Sequence, residues 1–167
     1  MVVSGVPAAG QPVAAPGLKA AYLYNFAQFV EWPAEVVRDG ASLVLCIVND
    51  RAVADVLVQM MKGRTVGGHD LTVIHLGTSA PLPTCHVLYL AGLDLKRTLD
   101  VVETVRGSFV FTVSDAERFA RTGGMVELFL EGGRMRFAVN VDALERGRIR
   151  LSSRVLTLAR IVRDDPS

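Results

Sequence analysis

The chain has 167 residues, half of them hydrophobic and 21% charged, with a formal net charge of +1. That balance suits one globular domain with a sizeable core, not a disordered chain, and gives no electrostatic case for nucleic acid or an anionic membrane surface as partner. No apolar run approaches the roughly eighteen residues needed to span a bilayer, which speaks against direct membrane insertion.

Residues 1–17, rich in Ala, Val, Gly and Pro, carry no charge and no periodicity. They read as a disordered tail or as the remnant of a leader whose front end is absent, because the basic and long apolar regions of a complete secretory signal are missing. The domain is expected over residues 18–163. It opens with "LKAAYLYNFAQFVEWP", which holds Tyr22, Tyr24, Phe26, Phe29 and Trp32. Leu18, Ala21, Tyr22, Asn25, Phe26, Phe29 and Val30 fall on one helical face, and Pro33 should stop the helix near Glu31. Such a helix rises only about 21 Å, too little for a membrane core. A partner surface and a core helix remain, and the core is favoured because Leu23 and Ala27 widen the apolar arc. Asn25 would then need a backbone hydrogen-bond partner.

"SLVLCIVND" predicts a buried strand and "RAVADVLVQMM" a helix, with the pair Asn49-Asp50 as the cap between them. "GRTVGGHD" reads as a Gly-rich turn, "LTVIHL" as a second strand, "TSAPLPT" as loop and "CHVLYLAG" as a third strand. "DLKRTLDVVETVRG" predicts a helix capped by Asp94, and "SFVFTVSD" a fourth strand. Ser114 or Asp115 is placed to cap a short helix over "AERFARTG". "MVELFLEGGRMRFAVNV" has the form of a β-hairpin turning at Gly132-Gly133, and "SSRVLTLARIV" predicts a closing helix. The sum is an α/β fold of three layers. Its sheet is mostly parallel, about six strands wide, with an antiparallel hairpin edge and helices on its faces.

The chemical motifs are sparse. A phosphoacceptor receiver needs an Asp after the third strand and a Lys after the fifth, and both are missing. Neither a dinucleotide nor a triphosphate cradle is present, and the spacing of His69, His75 and His86 fits no familiar metal site. Cys85 and His86 are adjacent on a strand, so their side chains point to opposite faces and make a poor nucleophile pair. No cofactor is expected. Cys46 and Cys85 leave two readings open, one bridge or two inert core thiols. Arg134, Arg136, Arg146, Arg148, Arg150 and Arg154 cluster late, interleaved with Asp142 and Glu145. A solvated, ion-paired face is the plainer reading, and an anion or partner site the sharper one.

The blocks "KAAYLYNFAQFVEWP", "LCIVND", "CHVLYL", "FTVSD", "GGMVELFLEGGRMRFAVN" and "SSRVLTLARIV" stand in an order that resembles the YfiR family, covering Leu18 to Val162. The resemblance implies an exported, periplasmic, non-enzymatic regulator that represses a membrane-bound diguanylate cyclase by contact with its periplasmic region. Cyclic-di-GMP signalling and biofilm formation stay low as a result. It also implies a homodimer and relief of repression by an outer-membrane lipoprotein or a redox change. Cys46 and Cys85 match family cysteines that form a disulfide, and strands ordered 2-1-3 would make them neighbours. Arg134, Arg136 and Arg150 are the candidate ligand or partner residues, with an Arg-lined small-molecule pocket as the alternative function. Two departures stand out: a second cysteine pair seen in some relatives is missing, and Ala138 replaces a carboxylate common in relatives.

Overall fold

The computed structural model describes residues 16–166. Residues 1–15, most of the expected tail, lie outside the described residues, while Pro16 and Gly17 already belong to the first helix, α1 (Pro16–Phe29). Proline suits a first turn, where its missing N–H leaves nothing unpaired. The buried stripe of α1 runs through Ala20, Leu23, Tyr24 and Ala27, with Phe26 beside it. That stripe is rotated from the expected one. Asn25 is exposed and faces water, so the backbone partner expected for it is not needed. The helix ends at Phe29, before Glu31, because Val30–Glu31 (β1) turn extended and pair antiparallel with Arg150–Leu151 (β9).

The aromatic residues of α1 are core, as expected. Phe26 packs edge-on against Phe111 and Phe137 at 5.7 and 5.2 Å between ring centroids. Tyr22 and Trp32, partly buried, keep their polar atoms paired: the Tyr22 hydroxyl donates to the Met135 carbonyl and the Trp32 indole N–H to that of Phe109. This is how large amphipathic rings are accommodated at a core margin.

The six expected strands are β2 (Leu43–Val48), β4 (His69–Leu76), β5 (Val87–Leu90), β6 (Phe111–Ser114), β7 (Val126–Glu131) and β8 (Arg134–Asn140). Two short ones join them, β3 (Thr65–Val66) and β10 (Arg160–Val162), in the order β10-β8-β7-β6-β5-β2-β4-β3. From β4 through β7 neighbours run parallel, and β8 turns back antiparallel to β7. Alternation divides β2 between two faces: Leu43, Leu45 and Ile47 pack with α1 and with α2 (Arg51–Met61), while Cys46 and Val48 pack with α3 (Leu95–Val105). Helices therefore cover both faces, the three-layer arrangement of a doubly wound sheet. Asp50 and Asp94 cap α2 and α3, accepting from the amides of Val53 and Arg97 at 3.1 and 2.7 Å.

Three segments depart from expectation. The Gly-rich turn is a small hairpin, β3 against β4, with Gly67 and Gly68 at φ 57° and 84°. "AERFARTG" is a series of turns instead of a helix. Arg118 sits at φ 70°, which breaks a right-handed helix. The Glu127 carboxylate meanwhile captures the amides of Arg118 and Ala120 that a helix would use. The turns drive Phe119 fully into the core against Gly124, where a Cβ would lie 2.1 Å from its ring. Finally, the closing helix is only α5 (Ser153–Leu156). The chain then forms β10 parallel to β8, Arg160 opposite Ala138, because the outer strand of the hairpin offers an open edge.

Candidate functional site

Cys46 lies within β2, and Cys85 stands just before β5, the strand that pairs with it. Their Cα atoms are 5.9 Å apart and their sulfurs bonded. Both residues are buried in the cluster beneath α3. The strand order β4-β2-β5 supplies the adjacency expected for the pair.

The neighbouring His86 points elsewhere. Its ring lies edge-on to Trp32 at 6.0 Å, and its Nδ1 accepts the Val44 amide at 2.9 Å. Its own amide donates to the Val44 carbonyl, also at 2.9 Å. The imidazole thus stands in for a strand acceptor at the start of β5, and it must be neutral to do so. Burial lowers its pKa below 6.5, with nearby His69 adding to the effect and a hydrogen bond to the Val36 backbone opposing it. A native pKa below the unfolded one means the unfolded chain binds the extra proton first. Stability contributed by His86 is therefore complete above about pH 6.5 and is lost as the pH falls from there through the native pKa. Urea midpoints measured between pH 8 and 5 should decline in the wild type. They should decline less in His86→Asn, whose side-chain oxygen accepts the same amide without titrating. Equal slopes would assign the decline to another group.

The arginines separate into distinct settings. Arg134 opens β8 opposite Glu131 across the hairpin. Arg136 reaches Glu131 at 3.3 Å, and Arg160 reaches the other oxygen of the same carboxylate at 2.7 Å while stacking over Phe129 at 4.8 Å. These contacts, Arg160 first, hold the Glu131 carboxyl below its usual range. Arg146 pairs with Asp164, and Asp142 pairs with Arg163 and not with the arginines interleaved with it in sequence. Arg150 sits in β9 opposite Glu31, at the end of α1. The structure brings Arg134 and Arg136 together at the hairpin but keeps Arg150 away from them, because α1 and β1 lie on the other face of the sheet. Most of these pairs are half exposed and contribute little to stability individually.

Two features were not visible as such in the sequence. Ala138 is buried with Ala120 and Val162, where β10 pairs alongside β8. A carboxylate there would have to fit between Ala120 and Val162, with Arg160 in register beside it on β10. Asn140, fully buried, joins four segments. Its Nδ2 donates to the Ala120 carbonyl and to Asp164 at 2.6 and 2.7 Å, and its Oδ1 caps α4 (Val141–Arg146) by accepting the Ala143 amide at 3.0 Å. Every hydrogen-bonding direction of the Asn140 amide except one acceptor lone pair is used. It fixes how the hairpin, the turns before Gly124 and the C-terminal strand sit together. The signal available was a lone polar residue ending a strand just before a helical run.

Among the described residues, no helix is long and apolar enough to cross a membrane. A family model described as YfiR/HmsC-like matches residues 16–160.

Proposed function

The chain belongs to the YfiR/HmsC-like family, and from that membership we propose that it is a periplasmic regulator that represses a membrane-bound diguanylate cyclase through protein–protein contact. The observation that carries this reading is the family match across residues 16–160. The bridge between Cys46 and Cys85 supports the compartment, since such a bond persists where thiols are not kept reduced. On this reading the protein catalyses nothing. Its output is a bound, silent cyclase and a low level of cyclic-di-GMP, hence restrained biofilm formation. The hairpin cluster of Arg134, Arg136 and Arg160 around Glu131 is the charged surface we assign to partner contact. Its guanidinium groups are exposed and presented on a strand pair. A homodimer, and release by an outer-membrane lipoprotein, belong to the same reading. The alternative of an Arg-lined pocket near Arg136 and Arg150 draws no support from the placement of those two residues on separate elements. Deletion with measurement of intracellular cyclic-di-GMP tests the proposal: a rise is expected, and an unchanged level after loss of a demonstrably expressed protein would overturn it.

A further inference from the structure

β6 ends at Ser114, and its register with β7 stops at the pair Ser114 and Glu127. Among the described residues, β7 continues from there to Glu131 with β8 as its only partner, so its inner edge beyond the Leu128 N–H has no strand beside it. The two-residue hairpin closes on Glu131 and Arg134, which makes Leu130–Met135 and Leu128–Phe137 the non-hydrogen-bonded pairs of the ladder. The backbone groups of Leu128 and Leu130 therefore point away from β8: the Leu128 N–H donates to the Ser114 carbonyl in the last rung of the β6–β7 ladder, while the Leu128 C=O and both the N–H and C=O of Leu130 face the gap beyond Ser114. The Met135 carbonyl fits this pattern: it is turned away from β7 and accepts the Tyr22 hydroxyl at 3.0 Å. A groove follows the gap, floored by Leu128 and Leu130 and rimmed by Lys19, Asp115, Glu117 and Glu127. Lys19 is bound to Asp115 at 2.8 Å, so the rim is acidic in sum. Leu130 is 38% exposed, unusual for a leucine in a strand of this sheet.

We propose that this inner edge of β7 is a docking groove for an extended segment of a protein partner with alternating apolar and basic residues, which adds as a strand in line with β6. Strand addition uses free backbone groups for affinity and alternate side chains for specificity. On one face the added segment places apolar side chains against Leu128 and Leu130. On the other it places lysine or arginine beside Glu127 and Glu117, and this charge complementarity selects the segment. A protein that left such an edge open without use would risk edge-to-edge association, which native folds avoid. The inference rests on the groove alone and holds whatever the partner's identity.

The test is a nuclear magnetic resonance titration of the full chain with three capped six-residue peptides: alternating Val-Lys, alternating Val-Glu and alternating Ser-Lys. The Val-Lys peptide should shift the amide signal of Leu130 and slow its hydrogen exchange. The other two should bind at least tenfold more weakly. Glu117→Lys, at an exposed position, should weaken Val-Lys binding about tenfold. Leu130→Pro should abolish it, since it removes a groove-facing N–H that the β8 ladder does not use. Exchange in the unliganded wild type gives a reading that needs no variant: the Leu130 amide should exchange fast, and the Leu128 amide, bonded to Ser114, more slowly. Equal binding of the acidic peptide, or shifts confined to other strands, would overturn the proposal. So would slow exchange of the Leu130 amide that strengthens with protein concentration, because the groove would then be occupied by a second copy.

Discussion

Replacing Cys46 and Cys85 together by alanine is expected to lower the free energy of unfolding by about 4 kcal/mol, the chain-entropy value for a loop of about forty residues. The bridge spans a sequence separation of 39 and joins strands already paired in the sheet, so the native state hardly changes when it is cut. The unfolded state changes most, regaining the freedom that the closed loop had removed. Both sulfurs are also buried in the cluster beneath α3, and truncation there leaves a small cavity whose cost adds to the first term. For a chain of this size the loss corresponds to a melting temperature lower by roughly 8–16 °C. Thermal unfolding with and without reductant separates the contributions: reductant should shift the wild type toward the double variant and leave the double variant unmoved. A shift of about 1 °C or less would mean that the bridge constrains little. The consequence for function is direct, because a protein of marginal stability that loses this much is largely lost from the cell.

The parts of the fold that could be read in the sequence are those whose signals are local. "RAVADVLVQMM" carries its own apolar spacing and its own cap in Asp50, and it is α2 at the expected residues. Gly132-Gly133 supply the positive φ that a two-residue hairpin demands, and the hairpin is there. The segments that misled are governed by distant partners. "AERFARTG" has helical composition, yet the carboxylate of Glu127, from the following strand, takes its amides. "SSRVLTLARIV" has helical spacing, yet Arg160–Val162 meet the open edge of β8 and become strand. At the candidate site the same division holds. The pairing of the cysteines came through resemblance, and strand order makes it physically natural. Sequence proximity placed Arg136 and Arg150 in one cluster, but it carries no information on which face of the sheet each reaches. Arg160, which completes the cluster around Glu131, was hidden inside an expected helix.

Asn140→Ala is expected to cost about 3 kcal/mol, combining a lost helix cap of about 1 kcal/mol with a buried carbonyl left without its partner. The side chain is fully buried, so water cannot replace what it supplies to Ala120 and Ala143. Asp164 also loses a donor. Its carboxyl is held below the usual range first by Arg146 and then by Asn140, against the opposing effect of burial. Because that native pKa is depressed, the stability Asp164 contributes is present above its unfolded pKa and is lost as the pH falls through the native one. Removing Asn140 should raise the native pKa and shrink this acid-sensitive contribution. Asn140→Asp is the informative companion. It keeps an oxygen to cap α4 but turns a second carboxylate toward Asp164 and the Ala120 carbonyl, replacing two attractions by repulsions. Both variants should unfold at lower urea concentration than the wild type at pH 7. The aspartate variant should recover stability on mild acidification, as its buried carboxyl is protonated and regains a donor, whereas the alanine variant should not. Were Asn140→Asp as stable as the wild type at pH 7, Asn140 would be acting as a helix cap alone, and the C-terminal strand would be held against the hairpin by its own pairing.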